Sequence, residues 1–122
     1  MLLSQPCRAF ASKGHFYDCL QLNELRKDLR ESVEKFSDEE VKPIAAEMDK
    51  TMKFPPQLWK KFGDMGLLGM TAPEEYGGAN LGYYEHCLVT EELSKANAAA
   101  ALSYLAHSNL CVNQIALNAS EE

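Results

Sequence analysis

An all-α fold is what this chain predicts, on three observations. Apolar residues recur at helical spacing through most of residues 20–122, glycines and prolines gather into a few clusters, and no alternating apolar and polar run offers a strand. With 122 residues there is material for one core and one domain. The architecture expected is an up-and-down helical bundle of about five helices.

Leu22, Leu25, Leu29, Val33 and Phe36 step by 3, 4, 4 and 3, an apolar stripe on a helix whose other faces hold Arg26, Lys27, Asp28, Arg30, Glu31 and Glu34. Ser37 and Glu40 have capping-box spacing, so a second helix is expected there, with Pro43 kinking or ending it; Ile44, Ala45 and Met48 renew the apolar face. Phe54-Pro55-Pro56 forces an extended entry into a short third helix carrying Leu58, Trp59, Phe62 and Met65, with Gly66 as its stop. From Gly66 to Gly82 the chain reads as loop, with Gly77, Gly78 and Gly82 permitting positive φ. A fourth helix follows through Tyr84, Cys87, Leu88 and Leu93. The fifth, Ala98 to Leu117, is apolar all round and reads as buried within the bundle. His107, Ser108, Asn109, Asn113 and Gln114 interrupt it, and buried polar groups must bind neighbouring helices or face a cavity.

The charge balance excludes some functions. A net charge of −6, with cations interleaved among acids, argues against a nucleic-acid surface. The longest apolar candidate, Ala96 to Ala106, is broken by Asn97, Ser103 and Tyr104, so no membrane span is expected. Cys7, Cys19, Cys87 and Cys111 form no C-x-x-C pair, which points to free thiols and a reducing compartment. Residues 1–19 form a leader: before Asp18 it carries Arg8 and Lys13 and no acid, the composition of a mitochondrial transit peptide with a processing site after Phe10. The alternative for that leader is an unstructured start.

Side-chain constellations carry little chemistry on their own. Ser103 and His107 are four apart on one helix, but no acid orients the imidazole and no glycine elbow presents the serine. His86 beside Glu85, and Glu91-Glu92, have no further ligand at metal spacing; a solvated face or helix-end interactions are expected, and no metal site. Gly77-Gly78 is a turn, not a phosphate loop.

The order of the motifs is more specific than any one of them. FPPQLWKKFGDMGLLGMTAPEEYGG, then EEL near the end of the fourth helix, then LSYLAHSNL in the fifth, resemble in order and spacing the N-terminal helical domain of the flavin-dependent acyl-CoA dehydrogenases, nearest their isovaleryl-CoA-specific members, over residues 20–122. The resemblance implies α,β-dehydrogenation of a short branched acyl-CoA in leucine catabolism: a carboxylate removes the α-proton, hydride goes to FAD, and electrons pass to an electron-transfer flavoprotein. It further implies a homotetrameric parent in the mitochondrial matrix. The flavin-contacting β-domain and the C-terminal helical domain with the catalytic glutamate come later in the family's sequence. No catalytic residue is therefore expected in this chain, which on its own should bind no FAD and show no dehydrogenase activity. The resemblance places Leu102, Ala106 and Leu110 in the acyl pocket wall. Their spacing by four gives one strip with a small residue at its middle. The family typically has glycine where Ala119 stands, and a Gln-Lys pair shortly after it that does not occur here. A reading from another class, a truncated non-enzymatic helical interaction module, is separated from the enzyme by whether an open frame continues past Glu122.

Overall fold

Asn23 opens the first described helix, α1 (Glu24–Phe36), by accepting the Arg26 amide on its Oδ1 at 3.0 Å, which satisfies one donor of the unpaired first turn. The computed structural model describes residues 22–120. The leader with its Phe10 site, Cys7, Cys19, Glu121 and Glu122 lie outside the described residues.

The second helix does not start afresh. Ser37–Val41 forms a π turn, in which the Lys42 amide reaches back five residues to the Ser37 carbonyl, and α2 (Lys42–Thr51) continues the same rod. The wide turn explains why Pro43 does not end it. Pro43 sits in the first turn of α2, where a missing N–H is tolerated, and the extra residue before it relieves the ring's clash with the preceding turn. Ser37, expected as a cap, is instead buried inside the rod. The first two expected helices are thus one, and four continuous helices remain among the described residues.

Helix α3 (Gln57–Asp64) starts after Pro55-Pro56 as the sequence predicts. It stops in a Schellman motif: Gly66 has φ 72°, its amide bonds the Gly63 carbonyl, and the Leu67 amide bonds that of Phe62. The following loop folds back on itself, with the amides of Ala79, Asn80 and Leu81 bonded to the carbonyls of Gly69, Ala72 and Met70. Of its glycines Gly77 alone takes positive φ, 79°. Gly78 serves close approach, since a Cβ there would lie 2.1 Å from the Ala72 carbonyl oxygen. Gly82 precedes α4 (Tyr83–Ala96) and gives its amide to the Glu85 carboxylate at 3.1 Å.

The last rod comprises α5 (Ala98–Leu105), a second π turn (Ala106–Val112) and α6 (Asn113–Asn118). Asn97 separates it from α4 and caps it, accepting the Ala100 amide at 2.8 Å. Contacts between residues 26 and 85, 30 and 92, and 49 and 97 run the first rod and α4 in the same sense. Contacts between residues 86 and 108, and 83 and 113, run the last rod against α4, giving the up-and-down bundle that the sequence predicts.

Phe62, fully buried, sits where the rods converge, with ring centroids 5.9 Å from Phe36, 6.0 Å from Trp59 and 5.9 Å from Tyr104. Val33, Val41, Leu58, Leu67, Val89, Leu93 and Ala100 close the core around it. The α1 stripe is buried at Leu22, Val33 and Phe36, but Leu25 stays exposed. Near that end the contact with α4 belongs to Arg26 and Arg30.

Candidate functional site

The last rod has two faces, and the difference between them defines the site. Ala100, Ala101, Tyr104, Ser108 and Asn113 are buried against the bundle. Leu102 and Leu110 are 65% and 68% exposed, and Ala106, Ile115 and Leu117 are exposed with them. The all-round apolar composition is therefore no sign of burial within these residues. One side packs inward, and the other presents an unpartnered apolar strip with Leu102, Ala106 and Leu110 along it. The three residues that the resemblance assigned to an acyl wall are all exposed along this rod.

Beneath that strip lies a polar network that the sequence did not reveal. His86, expected at a solvated face or helix end, is buried, its ring stacked on Tyr104 at 5.3 Å and its Nε2 2.5 Å from Ser108 Oγ. Ser108 donates its own proton to the Tyr104 carbonyl at 2.9 Å, so its oxygen accepts from His86, which fixes the Nε2–H tautomer. Tyr104 in turn donates to Met70 Sδ at 3.3 Å. Burial pushes the His86 imidazolium pKa below its ordinary value and the Tyr104 phenol pKa up, so both groups are neutral.

The His86 shift has a measurable sign. Its folded pKa lies below the unfolded 6.5, so the unfolded chain binds the extra proton first. The stabilisation is fully present above pH 6.5 and is lost as pH falls through the folded pKa. Melting temperature should drop as pH falls below about 6.5, before most carboxylates titrate. His86→Gln should flatten that slope, and equal slopes in both proteins would contradict the assignment.

Two carboxylates of α4 are also inside. Glu85 is buried, and while burial raises its pKa, the Arg26 guanidinium at 2.7 Å and the Gly82 amide outweigh it and hold the carboxyl below its usual range. Arg26 also lies 4.2 Å above the Tyr84 ring. Glu92, expected on a solvated face, is buried and bonded to Arg30 at 3.0 Å and Lys95 at 2.7 Å. Glu85 alone fits the helix-end expectation. The Arg26–Glu85 and Arg30–Glu92 pairs join α1 to α4.

The remaining candidates resolve simply. Ser103 donates to the Ala99 carbonyl at 2.9 Å and His107 packs 5.4 Å from Trp59, so they are engaged elsewhere than with each other. Among the described residues no cluster of three metal-ligating side chains occurs and no helix is long and apolar enough to cross a membrane. Cys87 and Cys111 are free and exposed.

Two grooves lack the partners that a flavin dinucleotide would need. One, of about 600 Å³, lies between Leu68, Ala72 and Tyr76 of the loop and Val112, Ile115 and Ala116 of the last rod, with no charged side chain for a diphosphate. The other, of about 960 Å³ beside α2, carries Glu39, Glu40 and Glu47 against Lys53 and Lys61, with Lys61 already paired to Glu40. Neither fits the group.

With this geometry in view, the chain was compared with known proteins. The family described as "Acyl-CoA dehydrogenase, N-terminal domain" matches residues 23–122. The 2-methylacyl-CoA dehydrogenase of Solanum tuberosum mitochondria is 47% identical over 109 residues, 88% of this chain and 26% of the relative. The mitochondrial isovaleryl-CoA dehydrogenase of Bos taurus is 49% identical over 102 residues, 82% of this chain and 24% of the relative. A short-chain-specific acyl-CoA dehydrogenase of Clostridium acetobutylicum is 39% identical over 94 residues, 77% of this chain and 25% of the relative. The chain thus spans about a quarter of the length of these curated relatives. The matched span takes in every described helix, and the chain belongs to the acyl-CoA dehydrogenase family as its N-terminal domain.

Proposed function

We propose that this domain forms part of the acyl pocket wall of a FAD-dependent acyl-CoA dehydrogenase that removes the α and β hydrogens of a short branched acyl-CoA thioester. The observation carrying this reading is the exposed strip of Leu102, Ala106 and Leu110: two leucines with a small residue between them present an apolar face that the rest of the parent would close into a shallow recess for a branched methyl pair. The names of the relatives point the same way, specifying isovaleryl, 2-methylacyl and short-chain substrates.

On this reading the domain's part in the reaction is to bind and shape the acyl group and exclude water from it. FAD and the base are assigned to the remainder of the parent. On the same reading the parent is a homotetramer of the mitochondrial matrix, serving leucine catabolism and passing electrons to an electron-transfer flavoprotein. The relatives' mitochondrial names support the compartment. An interaction module would present the same strip, so substrate selectivity is the deciding property.

Ala106→Leu is expected to narrow the recess. A leucine adds three carbons to the wall, and overpacking costs typically about 1–3 kcal/mol, falling mainly on the branched substrate. In a chimera carrying residues 23–120 in place of the matching segment of the Bos taurus enzyme, the isovaleryl-CoA to butyryl-CoA ratio of kcat/KM should fall about 10-fold. An unchanged ratio with a lowered melting temperature would remove Ala106 from the pocket.

A further inference from the structure

The strip is straight for a reason found on the opposite side of the rod. In an α-helix each four-residue step overshoots a full turn by about 40°, so Leu102 and Leu110 would stand about 80° apart. Over Ala106–Val112, however, the rod is a π turn, and the Asn113 amide bonds the Ser108 carbonyl five residues back. A π turn winds less per residue and returns Leu110 towards the line of Leu102.

Two hydrogen bonds from the start of α4 accompany that turn. His86 donates to Ser108, and Asn113 Nδ2 donates to the Tyr83 hydroxyl at 2.5 Å. Ser108 and Asn113 are both buried, although five residues in an α-helix would put them about 140° apart and turn one of them away from α4. Only with the wider winding can both face the same helix. The Ser108 hydroxyl also donates to the Tyr104 carbonyl, just before the π turn begins.

We propose that His86 and Tyr83, acting through Ser108 and Asn113, are positioning residues that hold the π turn and thereby align Leu102, Ala106 and Leu110 into one acyl-binding surface. The proposal rests on the reading of that strip as the acyl wall, but its structural half can be measured without substrate. None of the four side chains need touch the acyl group. They set specificity from the far side of the helix.

The test begins with Ser108→Ala. Alanine is the best helix former, so the variant should fold, and without its hydroxyl the rod should revert to α winding. In the 122-residue chain, through-hydrogen-bond NMR couplings should then show the Asn113 amide paired with the Asn109 carbonyl, four residues back, in place of residue 108. His86→Leu should do the same, while His86→Gln, which keeps a donor, should retain the five-back bond. In the chimera, Ser108→Ala should lower the isovaleryl-CoA to butyryl-CoA ratio of kcat/KM about 10-fold, through KM for the branched substrate. Retention of the five-back bond in both Ser108→Ala and His86→Leu would overturn the proposal. So would a changed bond with an unchanged ratio while Ala106→Leu does shift selectivity. If neither substitution shifts it, the acyl-wall reading fails, and the alignment proposal with it.

Discussion

Phe62→Ala is expected to cost about 3–5 kcal/mol of folding stability, enough to unfold much of a domain this size at 25 °C. Its ring is wholly buried and packs against three aromatics: Phe36 of the first rod, Trp59 of its own helix and Tyr104 of the last rod. Removing it deletes apolar area and leaves a cavity that three independently anchored helices cannot collapse to fill. Phe62→Leu provides the graded control at a smaller cost, because it refills most of the volume. Urea denaturation of the three proteins measures the series. A loss under about 1 kcal/mol for the alanine variant would show that the rods do not converge on this ring.

Gly78→Ala is expected to be the most disruptive single-methyl change in the loop. The new Cβ would meet the Ala72 carbonyl oxygen at 2.1 Å and the Ala72 Cβ at 2.7 Å, and the first of these is backbone that no rotamer change relieves. Moving it breaks the fold-back in which the Asn80 amide bonds the same Ala72 carbonyl at 2.9 Å. A cost of about 3 kcal/mol follows, at the upper end for overpacking. Gly77→Ala is the comparison: its φ of 79° strains any side chain, but nothing lies within 4 Å of the added carbon, so about 1–2 kcal/mol is expected. Denaturation midpoints of the two variants, with amide exchange at Asn80 and Leu81, distinguish strain from collision. Equal losses would mean that the loop relaxes around the methyl.

What the sequence made legible follows from which forces are local. The apolar stripe of α1, the proline entry to α3 and its glycine stop are set by periodicity and backbone chemistry, and they stand where expected, apart from exposed Leu25. The π turns were not legible, because they depend on which helix lies opposite. At Ser37–Val41 the sequence showed a cap-like serine and an awkward proline, and the rod absorbed both by adding one residue to a turn. In the last rod a signal was present but unread: Tyr104, Ser108 and Asn113 step by 4 and then 5, a spacing that no α-helix face can hold. Arg26, Arg30, His86 and Glu92 were misplaced for a related reason. Charge and periodicity send such residues to solvent, and only the partner on another helix makes the burial of His86 and Glu92, and the partial burial of Arg26 and Arg30, tolerable.

The acyl-wall positions are the converse case. Composition alone would bury Leu102 and Leu110 in the core, and the resemblance placed them in a pocket; in the described residues they face outward. Under the proposed function, the rest of the parent would close over that outward face. The most direct test is a crystal structure of the FAD-loaded chimera with an unreactive isovaleryl-CoA thioether bound, read as the distance from Ala106 Cβ to the nearest carbon of the branched acyl group. The account predicts van der Waals contact, about 4–4.5 Å, with Leu102 and Leu110 flanking the same group. An acyl chain separated from Ala106 by an intervening layer of side chains would contradict it.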